Sequence, residues 1–317
     1  MWINILIIIL FPFIANCLYK FFVLRNTQEE HICRGANKIK AYDIATFGSS
    51  YARYAFDFTK SPISGYNFGI LPQFLFYTEK MIKDYVKTYK PGCYIAITLP
   101  GLVFCDPGKG KYGAERYAKL LSRAALGDEY SRKREILEKY FPLLKPSRSN
   151  LKRCIKNIIL LPKEHCNYLK NHNSMNELQV NEMAIKRCND WIKEFKLKNT
   201  MSDDLPSFLN ERMTQSRAIL TRIIDFCLKN NLRPILVITP VSKIMNNHLS
   251  DEFINKVLLD NIRIANIQNV PVLNYMKDDR FADFDNYINS ADLMNYAARL
   301  RFTNIFVKDV ITAYGSK

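Results

Sequence analysis

The chain has 317 residues, 48% of them apolar and 24% charged, which is enough to bury a sizeable core and too apolar for a disordered tail. Eleven glycines and 13 prolines exclude collagen-like or low-complexity architecture. Lys and Arg number 46 against 30 acids, and a net charge of +16 implies an anionic neighbour without choosing among phospholipid, phosphate polymer and nucleic acid.

The first element is a run from Ile3 to Tyr19 of 17 residues without a formal charge, rich in Ile, Leu and Phe; Phe21 to Leu24 extends it past Lys20. About 20 apolar residues span a bilayer, so residues 1–24 are expected to form a transmembrane anchor. The run lacks the basic flank and small-residue exit of a cleavable signal peptide. Ile14-Ala15-Asn16-Cys17 has the order of a lipoprotein cleavage box, but Asn16 is too large for the position before the cysteine. Lys20, Arg25, Lys38 and Lys40 follow the span, so the positive-inside rule alone leaves the body in the cytoplasm, although Glu29 and Glu30 interleave with them.

After the anchor, Ala41 to Phe47 reads as a strand closed by Gly48, with a helical pattern opening at Ser49-Ser50. Gly65 to Ile70 is a second extended piece, followed by a helix from about Gln73 to Tyr89 that Lys90-Pro91-Gly92 stops. Tyr94 to Leu99 and Pro234 to Thr239 are apolar runs of buried-strand type, each ended by proline, and Val270 to Leu273 is a fifth. Helices are expected near 213–228, 251–267 and 293–313. Apolar strands alternating with helices predict an α/β fold, a doubly wound, flavodoxin-like sheet of five parallel strands. Ligands in such sheets sit beyond the carboxyl ends of the strands, where the loops at Gly48, Gly69, Pro100, Pro240 and Asn274 converge.

Residues 106–210 interrupt residues 25–317 as a helical, basic insertion. From Lys109 to Lys198 there are 21 Lys and Arg against 10 Asp and Glu, which places about +11 of the +16 there. Two readings stand: solvated helix faces, or a surface facing phospholipid headgroups or an anionic glycan. No recognised nucleic-acid motif accompanies the charge, and no nucleic acid is expected. The eight cysteines form no CxxC pair, and no Cys and His group has zinc-site spacing, Cys166 beside His165 being a chance neighbour. No metal and no cofactor are expected.

Phe47-Gly48-Ser49-Ser50, between a strand and a helix, can present a hydroxyl beside a helix N-terminus, whose free N–H groups favour a nearby oxyanion. Serine is equally a common helix cap. The order of blocks, however, resembles the SGNH/GDSL hydrolase superfamily. Gly48-Ser49-Ser50 is similar to its first block, which makes Ser50 the candidate nucleophile with Gly48 and Ser49 beside it. Tyr66-Asn67-Phe68-Gly69 resembles the second, which implies that the Gly69 N–H helps hold the oxyanion. The third block should lie at Pro100-Gly101-Leu102 but lacks its asparagine, and Pro240-Val241-Ser242 fits the loop after the fourth strand. Ser290 to Thr303 follows the spacing of the last block in the envelope-associated branch, with Asn295, Phe302 and Thr303 in agreement, and the resemblance implies Gly48, Ser49, Gly69 and Asn295 as binding residues. The catalytic histidine position holds Leu293 and the aspartate position holds Ser290.

A serine hydroxyl is a weak nucleophile until a base takes its proton, which leucine cannot do. The substitute bases are His248, in the loop after the fourth strand, and Asp292, a carboxylate poorly matched to serine. The resemblance implies a single-pass membrane protein with an extracytoplasmic domain. Members of that branch act in lipoteichoic acid D-alanylation and alginate O-acetylation, beside a membrane-bound O-acyltransferase. Three readings follow: an acyl-transferring or hydrolysing enzyme of envelope glycan using Ser50, a non-catalytic relative that binds acylated or anionic glycan or docks a partner, and a cytoplasmic-facing α/β protein that binds an anionic ligand.

Overall fold

In the computed structural model, which describes residues 2–24, 27–108, 117–127, 131–144, 175–288 and 290–315, the five apolar runs are strands. They are β1 (Tyr42–Phe47), β2 (Gly65–Asn67), β3 (Tyr89–Thr98), β4 (Arg233–Ile238) and β5 (Val272–Asn274). All pair in parallel in the order β2-β1-β3-β4-β5. The main helices are α1 (Trp2–Tyr19), α2 (Gln28–Ala36), α3 (Ser50–Ala55), α4 (Leu75–Asp84), α5 (Arg132–Tyr140), α6 (Glu177–Phe195), α7 (Phe208–Lys229), α8 (Asp260–Ala265) and α9 (Tyr296–Gly315). A helical turn Asp251–Ile254 and a π-helical turn Asn255–Leu259 lead into α8.

By its contacts the chain divides into two compact units, Met1–Asn37 with Gly110–Leu169, and Lys38–Lys109 with Lys170–Lys317. The second unit holds the sheet. It takes in residues 170–210 of the interval expected as an insertion, including α6 and the first residues of α7. Residues 145–174, with Cys154, His165, Cys166 and His172, lie outside the described residues.

Successive strand residues point to opposite faces, and both faces are buried. On one face Ile44, Ala96, Ile235 and Val237 pack with Phe302, Phe306 and Val310 of α9 and with Phe56. Phe56 and Phe306 lie 4.8 Å apart, and Tyr275 meets Phe302 edge-on at 5.0 Å. The alternate residues Phe47, Ile95, Ile97 and Leu236 are fully buried on the other face.

Several boundaries differ from expectation. β2 ends at Asn67, though the Phe68 N–H still donates to the Thr46 carbonyl at 2.8 Å and the Asn67 side chain bonds the carbonyls of Ala52 and Phe56. β3 begins at Tyr89, five residues early. Its pairing with β1 jumps from Tyr42↔Tyr89 to Ile44↔Tyr94, so Lys90-Pro91-Gly92 forms a bulge with Gly92 at φ +73°. The helix expected to run to Tyr89 ends at Asp84, a 3₁₀ turn Val86–Thr88 follows, and Pro91 lies inside the strand.

In the first unit the turn before α2 is capped by Thr27, whose hydroxyl accepts from the Glu30 N–H and donates to the Leu24 carbonyl. Lys119 pairs with Glu30 at 2.7 Å. Asn16 of α1 is buried and satisfied by backbone: it donates to the Tyr140 carbonyl at 2.6 Å and accepts from the Leu143 N–H at 3.2 Å. Leu10, Phe11, Phe13, Ile14 and Leu18 of the same helix are exposed. Among the described residues no helix is long and apolar enough to cross a membrane; the side chains of residues 2–9, which carry much of the expected anchor, lie outside the described residues.

α4 and α7 are joined by an ion cluster. Glu79, buried on α4, accepts from Arg222 Nη2 at 2.7 Å and Nε at 3.0 Å and from Lys83 Nζ at 2.7 Å. Burial opposes the Glu79 charge, but the hydrogen bonds from Arg222 and Lys83 outweigh it and hold the carboxyl below its usual range. A depressed carboxylate adds stability above its unfolded pKa and loses it as pH falls through the folded value. Urea denaturation between pH 5 and about pH 3 should therefore show stability falling on acidification. Glu79→Gln should flatten that limb and cost about 1 to 2 kcal/mol at neutral pH, at the low side because Arg222 is half exposed.

Candidate functional site

The carboxyl edge of the sheet is assembled from four loops. β1 leaves through Gly48, at φ +140°, where a Cβ would lie 2.9 Å from Thr98 Cβ and 3.2 Å from the Thr98 carbonyl. Only glycine lets the exit of β1 pass the end of β3. Ser49 follows with no side-chain cap bond, and Ser50 is the first residue of α3. That helix has six residues, so few peptide dipoles add up behind Ser50. Ser50 is 7% exposed, and among the described residues its hydroxyl has no hydrogen-bond partner.

The loop after β2 is tied to α3. The Asn67 side chain donates to the Ala52 carbonyl at 2.8 Å and the Phe56 carbonyl at 2.9 Å, which satisfies the end of the helix. Its oxygen accepts from the Gly69 N–H at 2.9 Å. The amide expected to hold an oxyanion is thus committed to a side chain. A Cβ at Gly69 would sit 2.7 Å from the Arg53 N and 2.9 Å from Ala52 Cβ, so glycine is needed here for the close approach of loop and helix. The Ile70 N–H donates to the Gly48 carbonyl at 3.1 Å, which brings the first two blocks together.

The last block reaches the same edge, with the Ser242 N–H donating to the Ala291 carbonyl at 3.0 Å. Ser290, at the expected aspartate position, accepts from the N–H groups of Asp292 at 3.2 Å and Leu293 at 2.8 Å, so its hydroxyl shapes the turn. Asn295, expected as a binding residue, accepts from the Ala298 N–H at 3.0 Å and donates to the Asp285 carbonyl; it caps α9. Phe302 and Thr303 are core, the Thr303 hydroxyl accepting from the Asp57 N–H at 2.8 Å.

The two substitute bases are both engaged elsewhere. The His248 Nε2 is 2.9 Å from Asn181 Oδ1 of α6. Asp292 has only 1% of its side chain exposed, and one oxygen, Oδ2, receives the Tyr51 hydroxyl at 2.6 Å and Arg187 Nε at 3.0 Å. Burial pushes the Tyr51 hydroxyl well up, and the Asp292 carboxylate adds to the shift. Burial works against the Arg187 charge, but Asp292 more than offsets it and holds the guanidinium above its usual range. The other oxygen, Oδ1, is buried with no partner among the described residues. Sequence reasoning did not find Arg187 or Tyr51. Tyr51 adjoins the candidate nucleophile, but Arg187 is 105 residues from Asp292 and is one of many cations in a basic stretch.

A cavity of about 10 Å³, room for about one water, lies beyond β3, β4 and β5. Tyr51, Pro100, Trp191, Thr239, Met245 and Met276 are among its lining residues, and Ser50 is not. Burial raises the thiols of Cys105 and Cys227 to about 12, so neither supplies a thiolate near neutral pH. Among the described residues no group of three His, Cys, Asp or Glu is placed to hold a metal ion.

The chain matches no model of a known protein family, and no curated protein matches it significantly.

Arg187 neutralises a carboxylate that cannot reach solvent. Arg187→Met should destabilise the fold by about 3 kcal/mol, the low end for breaking a buried pair because Arg187 is itself partly exposed. Adding Asp292→Asn should recover part of that loss, since the stranded charge goes with it; urea midpoints of the two variants read the difference.

Proposed function

We propose that the chain is a membrane-anchored, non-catalytic relative of the SGNH hydrolases that serves envelope glycan modification by binding acylated or anionic glycan or by docking a membrane-bound O-acyltransferase. The observation that carries the non-catalytic part is Asp292. The one carboxylate beside the vacated histidine position is consumed by Arg187 and Tyr51, and Leu293 has no proton to exchange. The Gly69 N–H, the expected oxyanion donor, is bonded to Asn67, which further supports a site without turnover. An acyl ester attacked by Ser50 would need a base, an oxyanion donor and room for the acyl group.

Membrane anchoring is supported by the uncharged run Ile3 to Tyr19 and by the exposed Leu10, Phe11, Phe13, Ile14 and Leu18 of α1, an apolar surface that water disfavours and lipid accepts. An extracytoplasmic location for the sheet unit rests on the family resemblance.

The purified chain should turn over simple acyl esters no faster than Ser50→Ala does. Fast turnover that is lost on Ser50→Ala would overturn the non-catalytic reading. In cell fractions the chain should leave membranes with detergent and stay with them in high salt, whereas a form lacking residues 1–24 should be released; a truncated form that remains bound in high salt would count against the anchor.

A further inference from the structure

In a parallel sheet every strand starts at the same edge, and the segments that lead into the strands line up there. At this amino edge the segment before β1 lies against the segment before β3, the Lys40 N–H donating to the Lys87 carbonyl at 2.9 Å. The segment before β4 is joined to β3 by the Gly92 N–H on the Asn231 carbonyl at 2.9 Å. Along this edge lie two unlike kinds of side chain. Ile39 is 70% exposed before β1 and Ile267 is 69% exposed before β5, with Val86 and Leu228 exposed between them. Interleaved are Lys38, Lys40, Lys87 and Lys229, all exposed and without an ion-pair partner among the described residues. The acids Asp43 and Asp260 are occupied by Lys90 and Arg263, and Asp225 accepts from the Gln268 side chain at 3.5 Å.

Exposed isoleucines on an edge that also carries unpaired lysines, with Ile39 directly between Lys38 and Lys40, serve neither packing nor plain solubility. Isoleucine gains nothing from water, and an unpaired lysine gains from a nearby anion. The combination fits one kind of surface, a plane of anionic headgroups with acyl chains beneath it. Chain connectivity points the same way, because Lys38 directly follows Asn37, the last residue of the N-terminal stretch that carries the apolar helix. We infer that the amino edge of the sheet rests on an anionic phospholipid surface, with Lys38, Lys40, Lys87 and Lys229 on the headgroups and Ile39 and Ile267 reaching the upper acyl region. This rests on the reading of residues 1–24 as a membrane anchor and adds to it an orientation: the carboxyl edge, with Ser50 and Asp292, faces away from the bilayer.

Tryptophan quenching by brominated acyl chains tests the contact in the full chain, reconstituted in vesicles of phosphatidylglycerol and phosphatidylcholine. In a Trp191→Phe chain, Trp2 reports the anchor alone. In chains that also carry Trp2→Phe, Ile39→Trp and separately Ile267→Trp report the amino edge; both positions are largely exposed, so neither change has a core to disturb. The expected result is loss of emission at Trp2 and at both edge reporters. About 1 M salt, where screening shortens to roughly 3 Å, should restore the edge emission and leave Trp2 quenched. Replacing Lys38, Lys40 and Lys87 together by Gln should do the same at low salt. Trp2 quenched with both edge reporters bright would overturn the contact while sparing the anchor. All three bright would overturn both. Edge quenching equally strong in pure phosphatidylcholine and indifferent to salt would overturn the role given to the lysines.

Discussion

A carboxylate shut away from water must be neutralised where it stands, and Asp292 is the point at which this requirement organises the carboxyl edge. Its Oδ2 takes a proton donor from α3, through Tyr51, and a cation from α6, through Arg187. Three segments far apart in sequence are thereby fixed to one atom: the first turn after β1, the helix that returns at residue 177, and the loop before α9. The same atom decides the chemistry. A carboxylate that has accepted a phenol and a guanidinium has its charge committed, and the neighbouring Ser50 is turned about 100° away from Tyr51 around a short helix.

The blocks that resemble a hydrolase divide by what each residue does. Where the pattern is kept, packing explains it. Gly48 clears Thr98, Gly69 clears α3, Asn67 closes the end of that helix, Asn295 caps α9, and Phe302 and Thr303 hold α9 against Phe56 and Asp57. Where the pattern fails, at Ser290 and Leu293, only chemistry would have needed it. Ser290 still shapes the turn through its hydroxyl, a task that serine and aspartate can both perform. Backbone geometry and packing therefore account for every position that agrees with the expected pattern except Ser50.

The sheet was legible because each strand is a short apolar run bounded by glycine or proline, and a parallel strand buried on both faces has no other composition open to it. The convergence of loops at the carboxyl edge followed from that one inference. What escaped was non-local. Nothing within ten residues of Arg187 marks it as the partner of Asp292, and a count of positive charge made α6 look like part of a basic insertion although Val180, Ala184 and Cys188 bury it in the sheet unit. The bulge at Lys90-Pro91-Gly92 escaped for the opposite reason. A local rule, that proline with glycine ends an element, was outweighed by the pairing of Tyr42 with Tyr89.

The two edges of the sheet differ in what remains unspent. At the carboxyl edge the amide of Gly69, Oδ2 of Asp292 and the ring of His248 have partners inside the fold, whereas Oδ1 of Asp292 has none among the described residues. At the amino edge four lysines have no counter-ion among the described residues and two isoleucines stand more than half in water. Parallel sheets ordinarily meet their ligands at the carboxyl edge, because loops there are free to vary and helix N-termini point outward. Here several polar groups at that edge are engaged by internal bonds, and exposed lysines and isoleucines lie at the other. Interaction free energy comes from groups that gain a partner on binding, and the exposed lysines and isoleucines of the amino edge are groups of that kind.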